Sequence, residues 1–254
     1  MPRKQRSLRV EAVVLHHSDW GEADRLLVLY TKEMGKLRVV AKGVRRLRSR
    51  KAGHLEPFTR SALLLARGRD LWIVTQAETI EPYQALRDDL LRMGYAMFVV
   101  ELLDKFSFEE GSNLPLYKLL VATLERVAVE EEIFPAVVYY EIRLLKHLGY
   151  RPELFHCVGC GKEIQPQNQF FSFSSGGVLC PNCGRNTPAS RPVSMQALKY
   201  LRNFQRSSFD ADVYKRITKG VQQEMESLLQ DYMSYHLERK LNSPGFLREV
   251  RKQY

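Results

Sequence analysis

The sequence predicts a multi-domain α+β protein in which a small five-stranded barrel precedes an α-helical domain. Three observations carry this reading. Residues 8–80 break into five short apolar runs separated by turn signals, and from residue 83 onward apolar positions recur at helical spacing. The only four cysteines form two matched Cys-x-x-Cys-Gly half-sites placed between helical stretches. At 254 residues the chain can bury a sizeable core and hold two or three small domains. The expected divisions are 1–80 for the barrel and 81–254 for the helical domain, with 155–186 inserted into the latter.

The expected strands are Leu8–His16, Arg25–Thr31, Lys36–Ala41, Arg60–Ala66 and Leu71–Ala77. Asp19-Trp20-Gly21, Glu33-Met34-Gly35 and Arg67-Gly68-Arg69-Asp70 supply turns between them. Five short strands in so few residues suit a closed barrel, and the OB-fold, which binds oligonucleotides, is the natural candidate. Strand periodicity alone does not separate it from other small barrels.

Pro82 closes this section. Residues 83–107 carry Leu86, Leu90, Met93, Met97, Val100 and Leu103 on a helical stripe, and Leu116–Val129 and Pro135–Leu148 continue the pattern. Gly149-Tyr150-Arg151-Pro152 stops the third of these helices. Ser194 fits an N-cap for a helix through Phe204. Asp210 or Asp212 is expected to start a long helix reaching Leu241, ended by Ser243-Pro244-Gly245.

The half-sites are Cys157-Val-Gly-Cys160-Gly161 and Cys180-Pro-Asn-Cys183-Gly184. Their spacing matches a four-thiolate zinc signature, so Cys157, Cys160, Cys180 and Cys183 are the expected ligands of one structural Zn²⁺. A filled four-sulfur site leaves no open coordination position for chemistry. The glycine after each second cysteine fits a knuckle that needs positive φ. His156 could substitute as a ligand but reads as a neighbour.

Charge is concentrated at one end. Residues 1–60 carry fifteen Lys/Arg against six Asp/Glu, which is +9 of the chain's net +10. Between Met34 and Leu55 there is no acidic residue, and the window holds Lys36, Arg38, Lys42, Arg45, Arg46, Arg48, Arg50 and Lys51. A flexible cationic segment of this kind predicts salt-sensitive, sequence-tolerant binding to a polyanion, nucleic acid first and an anionic membrane surface second. Arginine adds bidentate phosphate contacts and base stacking. Trp20, Tyr30, Phe58 and Trp72 are candidate stacking partners, with Tyr30 and Trp72 more consistent with core.

The sequence holds no GxxxxGK[ST] and no GxGxxG, and no enzyme activity is expected. His54-Leu55-Glu56 matches the His-x-Glu of zinc deaminases, but those enzymes need three ligands and an open position. Cys180-Pro-Asn-Cys183 resembles a redox pair, which has no need of a second Cys-x-x-Cys. His16, His17, His147 and His236 show no partnering pattern. No apolar run follows Met1-Pro-Arg-Lys-Gln-Arg, and paired Cys-x-x-Cys units without a secretion signal point to reduced thiols in the cytoplasm.

The stretch Gly21-Glu22-x-Asp24-Arg25-Leu26, followed by Leu29-Tyr30-Thr31, Gly35-Lys36, Val40-Ala41-Lys42-Gly43-Val44-Arg45-Arg46, Ser49 and Leu55-x-Pro57-Phe58, resembles the N-terminal signature of the RecO family. These are bacterial recombination mediators of the RecF pathway. The order of barrel, helices, four-cysteine unit and closing Leu241-x-Ser243-x-x-Phe246-Leu247 is similar too. The resemblance implies a non-catalytic DNA repair and recombination protein that binds single- and double-stranded DNA and anneals complementary strands. With RecR it would help load RecA onto DNA coated by the single-strand-binding protein SSB. It implies DNA contacts at Arg25, Lys42, Arg45, Arg46, Arg48, Arg50 and Lys51, and a nucleoid-associated location. It also implies a site for the acidic SSB tail, which needs an apolar groove beside a cation; Arg202, Arg206, Lys215, Arg216 and Lys219 are the candidates. The competing readings are a zinc-bearing adaptor that docks acidic proteins and an RNA-binding barrel.

Overall fold

The five expected strands form and close. In the computed structural model, which describes residues 6–109, 111–238 and 240–252, they run as β1 (Ser7–Trp20), β2 (Asp24–Thr31), β3 (Gly35–Ala41), β4 (Arg60–Arg67) and β5 (Trp72–Glu81). The barrel order is β1-β2-β3-β5-β4, with β4 returning to β1 and a short parallel pairing of β3 with β5. Period-2 alternation sends Val10, Ala12 and Val14 of β1 into the lumen with Leu27, Leu29, Val39, Leu63, Leu65 and Val74. An irregularity between Val14 and His16 shifts the β1–β2 register and lets β1 run on to Trp20.

The helical pattern resolves into more pieces than expected. Residues 83–107 give α1 (Ala85–Asp88) and α2 (Leu90–Phe106), because Asp89 leaves the helical conformation and caps α2 by accepting from the Arg92 N–H. Then follow α3 (Leu114–Val129), α4 (Ile133–His147), β6 (Gln169–Ser172), β7 (Gly177–Leu179), α5 (Pro181–Arg185), β8 (Arg191–Val193) and α6 (Met195–Arg206). Ser194 caps α6 as expected, through the Ala197 N–H. The long helix expected from residue 210 is broken into α7 (Ala211–Tyr214) and α8 (Lys219–Leu237), because Thr218 takes the capping position and accepts from Val221. Ser243-Pro244-Gly245 starts a helix, α9 (Ser243–Arg251), where a stop was expected. Proline serves equally in the first turn of a helix, where Pro244 is the second residue and its missing N–H is not needed. Among the described residues no helix is long and apolar enough to cross a membrane.

The chain forms two compact units, Met1–Val129 with Asn242–Tyr254, and Glu130–Leu241. The expected 80/81 boundary marks where strand gives way to helix, and packing does not stop there. In the first unit Lys36 of β3 pairs with Asp104 of α2 at 2.8 Å and donates to its carbonyl at 2.6 Å. The Glu101 carboxylate accepts from the Asn242 and Ser243 N–H groups and so anchors the start of α9 on α2. In the second unit Phe204 stacks on Tyr214 at 3.9 Å, and Phe171 of the small β7-β6-β8 sheet meets Tyr232 of α8.

Asp104 has a pH signature. Burial pushes its carboxyl up, but hydrogen bonds and charge from His16 and Lys36 outweigh this and hold it at about 2, below its ordinary 3.8. A depressed carboxyl stabilises the fold above its unfolded value and loses that contribution as pH falls toward the folded one. The first unit should therefore weaken between pH 3.8 and about 2. Asp104→Asn should remove this acid sensitivity and lower stability near neutrality by about 1–2 kcal/mol, read by denaturant titration at several pH values.

Candidate nucleic-acid interface and metal site

The basic segment between β3 and β4 is a run of hydrogen-bonded turns, more ordered than the flexible loop the composition predicts. Val44 and Leu55 are buried in the barrel core and pin it at two points, with a 3₁₀ turn at Ala52–His54 between them. The Gly43 N–H donates to Asp24 at 2.7 Å, and the Arg45 N–H donates to the Ala23 carbonyl at 2.9 Å. The turn that follows Trp20 is thereby joined to the turn that begins the cationic run.

The cations divide into two sets. Arg25 pairs with Glu56 at 3.0 Å, and Arg45 pairs with Asp19 at 3.1 Å while donating to the Gly21 and Glu22 carbonyls. Lys51 folds back, donating to the Lys42 and Val74 carbonyls at 3.1 and 2.9 Å, and its burial lowers its pKa. Arg38 lies 3.8 Å from Glu109. Lys42, Arg46, Arg48 and Arg50 are exposed and have no ion pair among the described residues. They are the members of the expected set with charge to spare.

Of the four candidate stacking aromatics, Tyr30 and Phe58 are core, at 2% and 4% exposure, and Trp72 is half-buried against Arg67. Trp20, at the end of β1, is 51% exposed and lies beside the turn that Arg45 grips. Leu47, between Arg46 and Arg48, is wholly exposed, an apolar tip that composition alone did not single out.

The four cysteines converge as their spacing predicts. Their Sγ atoms all lie within 4.8 Å of one another, and none is in a disulfide. Burial pushes the Cys157 thiol up, but N–H groups of Cys180, Cys160 and Gly159 point at its sulfur and hold it down to about 6. A thiolate cradled by backbone N–H groups is the donor chemistry a soft cation requires. Gly161 has the positive φ, +74°, expected of the knuckle. Gly184 lies in α5 and answers a different need: a Cβ there would come within 2.4 Å of the Phe170 ring. His156 is not in the cluster and lies 3.8 Å from Glu153. His54 bonds Thr79 at 2.7 Å and Glu56 is engaged by Arg25, so both residues of the deaminase-like triplet are occupied within the barrel.

Comparison with known proteins bears directly on these features. Residues 6–83 match the family model described as Recombination protein O N terminal, and residues 87–245 match Recombination protein O C terminal. The chain belongs to the RecO family. Curated relatives called DNA repair protein RecO include one from Roseiflexus sp. (strain RS-1), 40% identical over 98% of this chain and 88% of its own length. That of Desulforudis audaxviator (strain MP104C) is 39% identical over 95% and 96%, and one from Dehalococcoides mccartyi (strain CBDB1) is 35% identical over 98% of both. Membership assigns this RecO-family chain to DNA repair and recombination, and the OB-like barrel and clustered cysteines expected from its sequence are present.

The partner-site cations are dispersed within the second unit. Lys215 follows α7 and pairs with Asp212 at 2.6 Å, Arg216 lies in the break, and Lys219 opens α8. Val213 is exposed and Ile217 buried, so the two form no continuous apolar wall. Arg202 and Arg206 share α6 and stand over Phe155 at 5.2 and 3.7 Å. The first unit holds a groove that the helical stripe did not reveal, about 520 Å³, lined by Met93, Met97 and Val100, by Arg87 and Lys105, and by the carboxylates of Glu101 and Asp104, which are engaged by Asn242 and Ser243 and by Lys36. Its signal in the sequence was Met97, a stripe position left 38% exposed because none of the described residues covers it.

Proposed function

We propose that this RecO-family protein is a non-catalytic mediator that binds single- and double-stranded DNA through its basic turns. It anneals complementary strands and, with RecR, helps load RecA onto SSB-coated DNA. The observation that carries the reading is the set Lys42, Arg46, Arg48 and Arg50, exposed and without an ion pair among the described residues, on anchored turns. Cations that meet phosphate and not base edges bind without sequence preference. Neutralising two strands lowers their repulsion, so annealing needs no bond-making residue. The metal we assign to Cys157, Cys160, Cys180 and Cys183 is Zn²⁺, in a purely structural role, because four thiolates complete its tetrahedral shell.

For the acidic SSB tail, the groove on α2 meets the requirement best. Met93, Met97 and Val100 would take apolar side chains, and Lys105 would meet a carboxylate. Arg87 is already committed to the Pro57 carbonyl and Thr59. The test is annealing of two complementary fluorescent oligonucleotides, naked and SSB-coated, without ATP. The native chain should anneal both, and Met97→Asp should anneal only the naked strands. Failure of the native chain to anneal naked strands would overturn the mediator reading; equal annealing of coated strands by Met97→Asp would overturn the groove assignment.

A further inference from the structure

The second unit carries a groove of about 500 Å³ along α6 that the basic turns do not account for. Its cationic side is Lys199, Arg202 and Arg206, and no carboxylate among the described residues lines it. Opposite stands the segment Gln165–Gln167 of the cysteine-bearing region. Arg206 lies over the Phe155 ring at 3.7 Å, which fixes the plane of its guanidinium. Arg202 donates Nε–H to the Leu154 carbonyl at 2.8 Å, while its Nη2 is buried with no partner among the described residues. A buried donor without an acceptor is costly. Burial, and then the charge of Arg206, lower the Arg202 pKa, against the opposing pull of Glu163 and Glu153. Glu153 is otherwise occupied in accepting from the Phe155 and His156 N–H groups.

We propose that this groove is a second binding site for a single strand of nucleic acid, held by its phosphates on Lys199 and Arg202 and by a base on Arg206. Arginine planes stack on unpaired bases, and base edges can be read by amides. Gln167, Gln196 and Asn203 place such amides along the same lining. The site does not depend on the basic turns for its argument, and a chain with two strand sites can hold both partners of an annealing pair.

The test uses the full chain and a fluorescent oligothymidylate carrying one photoreactive base. Crosslinks from the native chain should map by mass spectrometry to residues 165–167 and 195–206 as well as to the basic turns. Lys199→Glu with Arg206→Glu should lower affinity about tenfold and reduce the salt slope by about 0.7, the one phosphate contact at Lys199, the rest of the loss being the stacked base at Arg206. Both residues are exposed, and Lys199→Gln, expected to remove about 0.7 of slope, serves if the double variant does not fold. Absence of crosslinks to this unit, or an unchanged slope in folded variants, overturns the proposal. So does loss of binding to an acidic peptide ending in apolar residues with strand binding intact, which would mark a peptide groove. Charge reversal confined to Arg46, Arg48 and Arg50 reads the basic turns separately, so failure of one site is not failure of the other.

Discussion

Reversing Arg46, Arg48 and Arg50 to glutamate is expected to remove most of the chain's affinity for DNA while leaving its thermal unfolding unchanged. All three side chains are exposed and none has an ion pair among the described residues, so the folded state loses nothing when they go. On single strands each lost phosphate contact should take about 0.7 from the salt slope, about 2 in all. At about 1 kcal/mol per contact the dissociation constant should rise on the order of a hundredfold. The control is the other half of the same cationic window. Arg45→Ala breaks the pair with Asp19 and the bonds to the Gly21 and Glu22 carbonyls, and Lys51→Ala frees the Lys42 and Val74 carbonyls. These two should lower stability by about 1 kcal/mol each and affect DNA less than any of the exposed three. Fluorescence anisotropy across a salt series, with thermal melts of the same samples, decides. If Arg45→Ala and Lys51→Ala weakened binding as much as the triple reversal, uniform electrostatics would explain the loop better than the division drawn between anchored and free cations.

That division shows where sequence is legible and where it is not. A window of eight cations without an acid is visible from composition, because acids within the window would have neutralised it. Which cations are spent is set by Asp19, Asp104, Glu109 and two backbone carbonyls that approach only once the chain folds. The barrel itself was readable because its strands are short apolar runs set off by turn signals. Helix existence was readable and continuity was not. Asp89 and Thr218 look unremarkable inside an apolar stripe, yet each caps a new helix. The two senses of proline explain the miss at Pro244, which fits a helix end and a helix start equally. The cysteine cluster was the most legible feature, since metal geometry constrains spacing directly. The apolar groove on α2 was hidden because a stripe residue left uncovered, such as Met97, carries the same letter as one that is buried.

Removing the metal is expected to melt the second unit and spare the first. The cysteine region has a three-stranded sheet of short strands and little apolar surface of its own, chiefly Ile164, Phe171, Val178 and Leu179. Four converging thiols without a cation leave that region without its main crosslink. Metal binding in such small units is folding free energy, and losing it should cost about 3 kcal/mol or more, a fall of more than about 10 °C in the melting of this unit. Cys157→Ser should do more damage than Cys160→Ser. Cys157 is buried and its sulfur accepts backbone N–H groups, whereas Cys160 is exposed. The chain offers a clean readout, because both tryptophans, Trp20 and Trp72, lie in the barrel. A strong chelator should shift the far-ultraviolet circular dichroism transition downward while the tryptophan fluorescence transition stays in place. The basic turns should still bind DNA, since every anchor found for them is in the first unit. Crosslinks to Gln165–Gln167 should be lost, because that segment follows Cys160 within the region the cation holds together. One metal ion per chain, released as the unit melts, would complete the assignment. Coincident loss of both transitions would instead mean that the cation stabilises the barrel as well, and an unchanged melt would show that the thiols need no cation to hold their fold.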